Sequence, residues 1–103
     1  MKRVCYMVIA TLPSPAIEAE YVAWLEDGHV DLVVKGGAHS AMIVRLEPDG
    51  SGHPRVMTQY VFSTREAFDH YVSHHAPALR ADGIKKFPPE RGVRMERLIG
   101  TIV

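Results

Sequence analysis

The chain has 103 residues, its 12 basic side chains balance 12 acidic ones, and 47 % of it is hydrophobic. That length suits one domain, residues 1–103, around one modest core. Zero net charge argues against nucleic acid or an anionic membrane as partner, since both call for a basic face; no stretch reaches the roughly 20 apolar residues of a transmembrane helix.

Arg3 to Leu12 reads as the first strand. Val4, Tyr6, Val8, Ala10 and Leu12 point one way, and Cys5, Met7 and Ile9 point the other. A strand with one wet face alternates apolar with polar, so this one is expected at the centre of a sheet, covered on both sides. Met1-Lys2-Arg3 before an apolar run resembles a secretion signal, but the run goes straight into Pro13-Ser14-Pro15 without a cleavage pattern. Cys5 is the single cysteine, so no internal disulfide forms, in keeping with a cytoplasmic protein.

Ser14 suits an N-cap and Pro15 the first helical position. Ile17, Tyr21, Trp24, Leu25, Gly28 and Leu32 keep helical period, which predicts one helix from about Pro15 to Lys35 with a weak point at Gly28. Ala38 to Leu46 and Arg55 to Ser63 read as strands joined by the loop Pro48–Pro54, and the second is again apolar on both faces. Ser63 with Glu66 forms a capping box. A helix carrying Phe68, Tyr71 and Val72 follows; Pro77 then starts a second short helix ending near Lys86. Val93 to Val103 is the last strand.

The order β-α-β-β-α-β predicts an α+β, ferredoxin-like fold: a four-stranded antiparallel sheet with its helices on one face and the first and third strands central. Those two strands are the doubly apolar ones. Nothing left in the chain covers the second sheet face, so a second copy of the protein is the expected partner.

Six histidines raise the question of a metal. His70 and His74 share a helix face, as ligands would, but that face lies opposite Phe68, and no spaced set of further ligands accompanies them. They read as solvent-facing, and no metal is expected. His53 is a loop residue, and His39 starts a strand without an assigned role. His75 and His29 fall within or beside the apolar stripes, where each is either a hydrogen-bonded boundary residue or a group that lines a cavity and titrates near neutral pH. Tyr6 is assigned to the side facing the partner's sheet, where its hydroxyl could orient a ligand. Trp24 reads as a core aromatic beside Tyr21 that borders such a space. The pocket candidates are therefore His29, His75, Tyr6 and Trp24. His29 leads them, because Gly28 before it weakens a helix and suggests that a ligand or a partner strand approaches the backbone closely. Phosphate-loop, nucleophile-elbow and reactive-cysteine patterns are missing.

The segments Glu20-Tyr-Val-Ala-Trp-Leu-Glu-Asp-Gly-His29, Ser63-Thr-Arg-Glu-Ala-Phe68 and His74-His-Ala-Pro-Ala-Leu-Arg80 resemble a bacterial family of unknown function within the dimeric α/β-barrel superfamily. The resemblance runs from the first strand to Arg97, and departs where Gly28-His29-Val30-Asp31 replaces the family's Glu-His-Ile-Pro. It implies a homodimer whose two sheets pack face to face around a barrel. Members of that superfamily include cofactor-free monooxygenases, lactone isomerases, polyketide cyclases and haem-handling proteins, so the fold alone decides no chemistry.

The expectation is thus a homodimeric protein that binds a small apolar or aromatic molecule in its barrel without a cofactor. One rival is a cofactor-free enzyme of the monooxygenase, isomerase or cyclase kind, with His29 or His75 as proton acceptor and Tyr6 as donor. The other is a ligand-free assembly protein.

Overall fold

The computed structural model describes residues 2–103. Four strands form one antiparallel sheet: β1 (Val4–Thr11), β2 (Ser40–Arg45), β3 (Arg55–Phe62) and β4 (Arg94–Thr101), in the order β2-β3-β1-β4. The doubly apolar strands β1 and β3 are the central pair. Their register sets Tyr6 opposite Tyr60 and Ala10 opposite Val56, while β1 and β4 align Val8 with Arg97. Opposed residues share a face, so the register assigns every strand side chain to the helices or to the open side.

The helices lie on one side: α1 (Pro15–Trp24), α2 (Val30–Lys35), α3 (Arg65–His74) and α4 (Ala76–Lys86). Ser14 caps α1 by accepting from the Ile17 N–H at 3.2 Å, with Pro15 at the first helical position. The expected single helix to Lys35 is divided. Leu25–His29 forms a π turn, the Val30 N–H donates to the Leu25 carbonyl five residues back, and Gly28 takes φ 143°, ψ −26°. The extra residue shifts the helical phase. Val33, 1 % exposed, faces the sheet in place of Leu32, which is 46 % exposed. Gly28 has an explanation within the chain: it takes a positive φ that L side chains avoid, and a Cβ built there meets no atom of this chain within 4 Å.

The cap of α3 is Thr64, whose Oγ1 accepts from the Ala67 N–H at 3.0 Å, rather than Ser63. Two adjacent hydroxyls compete for the cap, and the burial of Phe68 and Tyr71 selects the phase. Between α4 and β4, a short 3-10 turn at Pro89–Arg91 is tied down by Arg91, which donates to both Glu20 carboxylate oxygens at 3.1 and 2.7 Å and to the Lys86 carbonyl at 2.8 Å. This bidentate pair fixes the end of α4 against α1.

The core consists of two clusters. One gathers Val4, Tyr6, Tyr60, Phe62, Phe68 and Tyr71 beneath α2 and α3. The other gathers Leu12, Tyr21, Leu25, Val56, Phe87 and Val93 beneath α1. Fully burying a side chain of this size contributes roughly 1.5–3 kcal/mol. The open sheet face carries Met7, Ile9, Met42, Val44, Met57 and Leu98, all half-buried or exposed. Among the described residues, no helix is long and apolar enough to cross a membrane.

Candidate functional site

Where the two core clusters meet, the packing leaves a cavity of about 60 Å³ between the helices and the sheet. Tyr6 and Tyr60 form its floor, Tyr71 and Arg80 come from the second helical pair, and Trp24 and His29 come from the π-turn region. The cavity reaches the surface between α4 and β4, where the lining residues Ile84 and Arg97 are exposed. This placement corrects the sequence reading of Tyr6. The residue is 3 % exposed and packs against Phe68 and Tyr71 at ring-centroid distances of 5.6 and 6.1 Å, so it points to the helices and away from the open face.

Three buried polar atoms lack a hydrogen-bond partner among the described residues: His29 Nδ1, Thr58 Oγ1 and Arg80 Nε. All three residues line this one cavity. Buried polar groups are nearly always paired, and each left unpaired costs about 1–3 kcal/mol. Their convergence on a single space marks it as more than a packing flaw. Tyr6 adds a fourth polar group: its hydroxyl accepts from Arg97 Nε at 3.2 Å, leaving its own proton free to donate.

Burial dominates the electrostatics. It pushes the Tyr21 and Tyr71 hydroxyls up to about 12 and Tyr60 further in the same direction. Thr58 and Arg97 oppose the rise at Tyr21, although Thr58 Oγ1 and the Tyr21 hydroxyl do not meet hydrogen-bond geometry; the latter points to Met95 Sδ at 3.9 Å. His29 is held below its ordinary value of 6.5, chiefly by burial; Asp82 opposes this and Arg97 adds to it. At neutral pH the site therefore presents a neutral imidazole, protonated tyrosines and two guanidinium groups.

His29 and Trp24 also form one wall of an outer groove of about 730 Å³, edged by Glu26, Asp27 and Asp82. Their rings stack with centroids 4.0 Å apart, making a partition between groove and cavity. Gly83 on α4 makes room for Trp24, since a Cβ there would stand 3.4 Å from Trp24 Cη2.

Of the sequence candidates, the fold brings together Tyr6, Trp24 and His29. His75 lies apart. It lines a separate depression with Lys35, Gly36 and His74, and a Cβ on Gly36 would sit 3.1 Å from His75 Cγ, so its ring packs against the end of α2. His70 and His74 are exposed with ring centroids 4.3 Å apart, and among the described residues no three or more His, Cys, Asp or Glu side chains cluster as metal ligands do.

Thr58, Arg80 and Arg97 are not among the residues singled out from the sequence, yet each carried a signal. Thr58 interrupts Val56, Tyr60 and Phe62 on the inner face of β3. Arg97 stands between Met95 and Ile99 on the inner face of β4. Arg80 follows Ala76 by four residues and so shares its side of α4. A polar residue at an apolar position is the shared mark.

The fold has solved counterparts. A dimeric ferredoxin-like protein from an uncultured marine organism superimposes with a TM-score of 0.78 at 11 % identity, covering 100 % of this chain and 97 % of that one. A monooxygenase from the gene ActVA-Orf6 of Streptomyces coelicolor, in complex with Nanaomycin D, gives 0.70 at 13 %, covering 99 % and 88 %. SnoaB, a cofactor-independent oxygenase from Streptomyces nogalater, gives 0.62 at 12 %, covering 100 % and 95 %. At such identities the likeness concerns the fold alone. No curated protein matches the chain. Residues 3–99 match the family described as Domain of unknown function (DUF4286), and a match from β1 to near the end of β4 makes this chain a member of that family.

Proposed function

We propose that the protein is a homodimer that binds a small aromatic molecule in the cavity between its helices and its sheet. The observation that carries this reading is the convergence of His29 Nδ1, Thr58 Oγ1 and Arg80 Nε, all unpartnered, on one aromatic-walled space. Ligand sites combine apolar walls with a few converging polar groups. At about 60 Å³ the cavity admits water-sized guests. A benzene ring occupies engineered cavities of about 150 Å³, so a ring enters only when the Trp24–His29 partition swings toward the groove, which has room for it at about 730 Å³.

The apolar open face of the sheet supports the homodimer, as does the dimeric description of the marine counterpart. The single half-buried cysteine suits a cytoplasmic setting. Balanced charge gives no support to a nucleic-acid role.

A second reading, a cofactor-free enzyme, draws support from His29, whose imidazole is neutral at pH 7 and open at Nδ1 toward the cavity. It would serve as the proton acceptor, with Tyr6 as donor; His75 has no part, because it lies outside the cavity. Two fold counterparts are described as oxygenases.

Trp24 is the chain's single tryptophan and lines the cavity, so its fluorescence reports on the site. Titrating wild type and His29→Ala with indole, naphthoquinone and other small rings should change Trp24 emission and raise the melting temperature, with weaker binding in the variant. A panel that moves neither signal in wild type removes the binding reading.

A further inference from the structure

We propose that the ligand class of this cavity is an aromatic anion, a ring carrying one oxyanion, held by Arg80 and Arg97. The proposal rests on the binding reading above and adds the charge of the guest.

The cavity wall carries two guanidinium groups and no carboxylate. Three of the other six arginines have acidic partners, Arg55 with Asp49, Arg65 with Asp69 and Arg91 with Glu20, while Arg3, Arg45 and Arg94 are exposed to solvent. Arg80 and Arg97 form no such pair among the described residues. Arg80 Nε is buried without an acceptor, and Arg97 Nε reaches only the Tyr6 hydroxyl. Arg97 is exposed and keeps its solvation, but a buried guanidinium nitrogen without an acceptor is expensive, so Arg80 Nε leaves the cavity short of an acceptor.

The tyrosines do not supply an anionic one. Tyr71 feels both guanidinium groups, yet burial keeps its hydroxyl protonated far above neutral pH, and Tyr21 and Tyr60 behave alike. Asp82 lines the outer groove and not the cavity.

The donors match an oxyanion in kind. Arg80 Nε, the terminal nitrogens of Arg97 and the Tyr6 hydroxyl proton all donate, and a guanidinium fork suits the planar oxygens of a carboxylate or a ring-borne oxygen. The remaining lining is largely apolar, and within it Tyr60, Phe87 and Trp24 offer ring faces and edges to a flat guest. A bulky polyanion such as a nucleotide fits neither the volume nor these walls. A cationic amine would meet two like charges. Among organic guests that the space could take once the Trp24–His29 partition opens, this favours a small planar ring with one anionic oxygen.

The test uses the whole protein near neutral pH and four probes of similar size, benzoate, 4-nitrophenolate, benzyl alcohol and benzylamine, followed by calorimetry and Trp24 fluorescence. At least one anion should bind on the order of 10- to 100-fold tighter than benzyl alcohol, the range expected of a charge-assisted hydrogen bond. Whether benzoate or nitrophenolate leads identifies the oxyanion as carboxylate or phenolate. Arg80→Gln should abolish the preference of the anions over benzyl alcohol, and Arg97→Gln, at an exposed edge position, carries the same test should Arg80→Gln not fold. Equal binding of benzyl alcohol and both anions, tightest binding of benzylamine, or a preference that survives both substitutions overturns the anion proposal while the cavity remains a ligand site. If none of the four binds, both the anion proposal and the binding reading fall.

Discussion

Trp24 and His29 stack ring on ring, with centroids 4.0 Å apart and planes 23° from parallel, although five residues separate them along one helical segment. In a regular α-helix, residues five apart diverge by about 140° around the axis. The π turn over Leu25–His29 removes that divergence. Such turns within helices recur at functional sites, and here one aligns the partition between cavity and groove and sends Val33 inward.

Gly28 is therefore the first position to test. Its φ of 143° is a conformation that an alanine reaches only under strain, costing roughly 1–3 kcal/mol, while the space around it is open. Gly28→Ala should lower stability in urea unfolding by that amount and weaken the near-ultraviolet circular dichroism of the Trp24–His29 stack. Unchanged stability would mean that the π turn is not the preferred form of this segment.

How the pH response should run follows from His29. Its folded pKa lies below the ordinary 6.5, chiefly through burial, with Asp82 opposing and Arg97 assisting. Below about 6.5 the unfolded chain binds a proton that the folded protein resists, so the unfolded state binds more protons and stability rises with pH across that window. His29's contribution is fully present above the unfolded pKa and is lost as pH falls toward the folded value. His29→Asn should flatten the stability profile in this range. A profile with the same slope in both proteins would assign the effect to another group.

The architecture was readable from local patterns because the evidence for it is local. Doubly apolar β1 and β3 pointed to the sheet centre, and Ser14-Pro15 marked a helix start. The π turn was not readable: Tyr21, Leu25 and Leu32 keep α-helical period, and only Gly28 hints that one residue is extra. Tyr6 went to the wrong face for a related reason. On a strand apolar on both sides, alternation separates two sets of residues without saying which set meets the helices. Trp24 and His29 were singled out separately, Trp24 from the apolar stripe and His29 from its edge after Gly28, and their stacking depends on the π turn. Arg80 and Arg97 lie on different elements, and their place in one cavity lining is a product of tertiary packing that no spacing along the chain encodes.

The remaining histidines should separate by location. His70 and His74 are exposed on α3, so His70→Ala and His74→Ala should each stay within about 0.5 kcal/mol of wild type. His75 is half-buried, and its ring lies against Gly36 and near Tyr71, with a centroid distance of 6.4 Å. His75→Ala should cost on the order of 1 kcal/mol through lost packing. Thermal unfolding of the three variants under one buffer decides it. Equal losses at His70 and His75 would show that α3 presents a different face to the sheet.

The last prediction concerns the open sheet face. Met7 lies at its centre, opposite Gln59 on one side and Leu98 on the other, with Ile9, Met42, Val44 and Met57 around it. Completing the burial of each such side chain adds roughly 1 kcal/mol, given 1.5–3 kcal/mol for full burial. Summed over two copies, this reaches on the order of 10 kcal/mol, comparable to the roughly 4–15 kcal/mol that association costs. Sedimentation at micromolar concentration should give twice the 11.5 kDa protomer mass. Met7→Asp places a charge in the middle of that face, where its cross-strand neighbours Gln59 and Leu98 carry none, and should shift the protein to monomer while leaving the helix-side cavity intact. A wild type that sediments as a single protomer, or a Met7→Asp variant that remains dimeric, would mean that this face is not the interface.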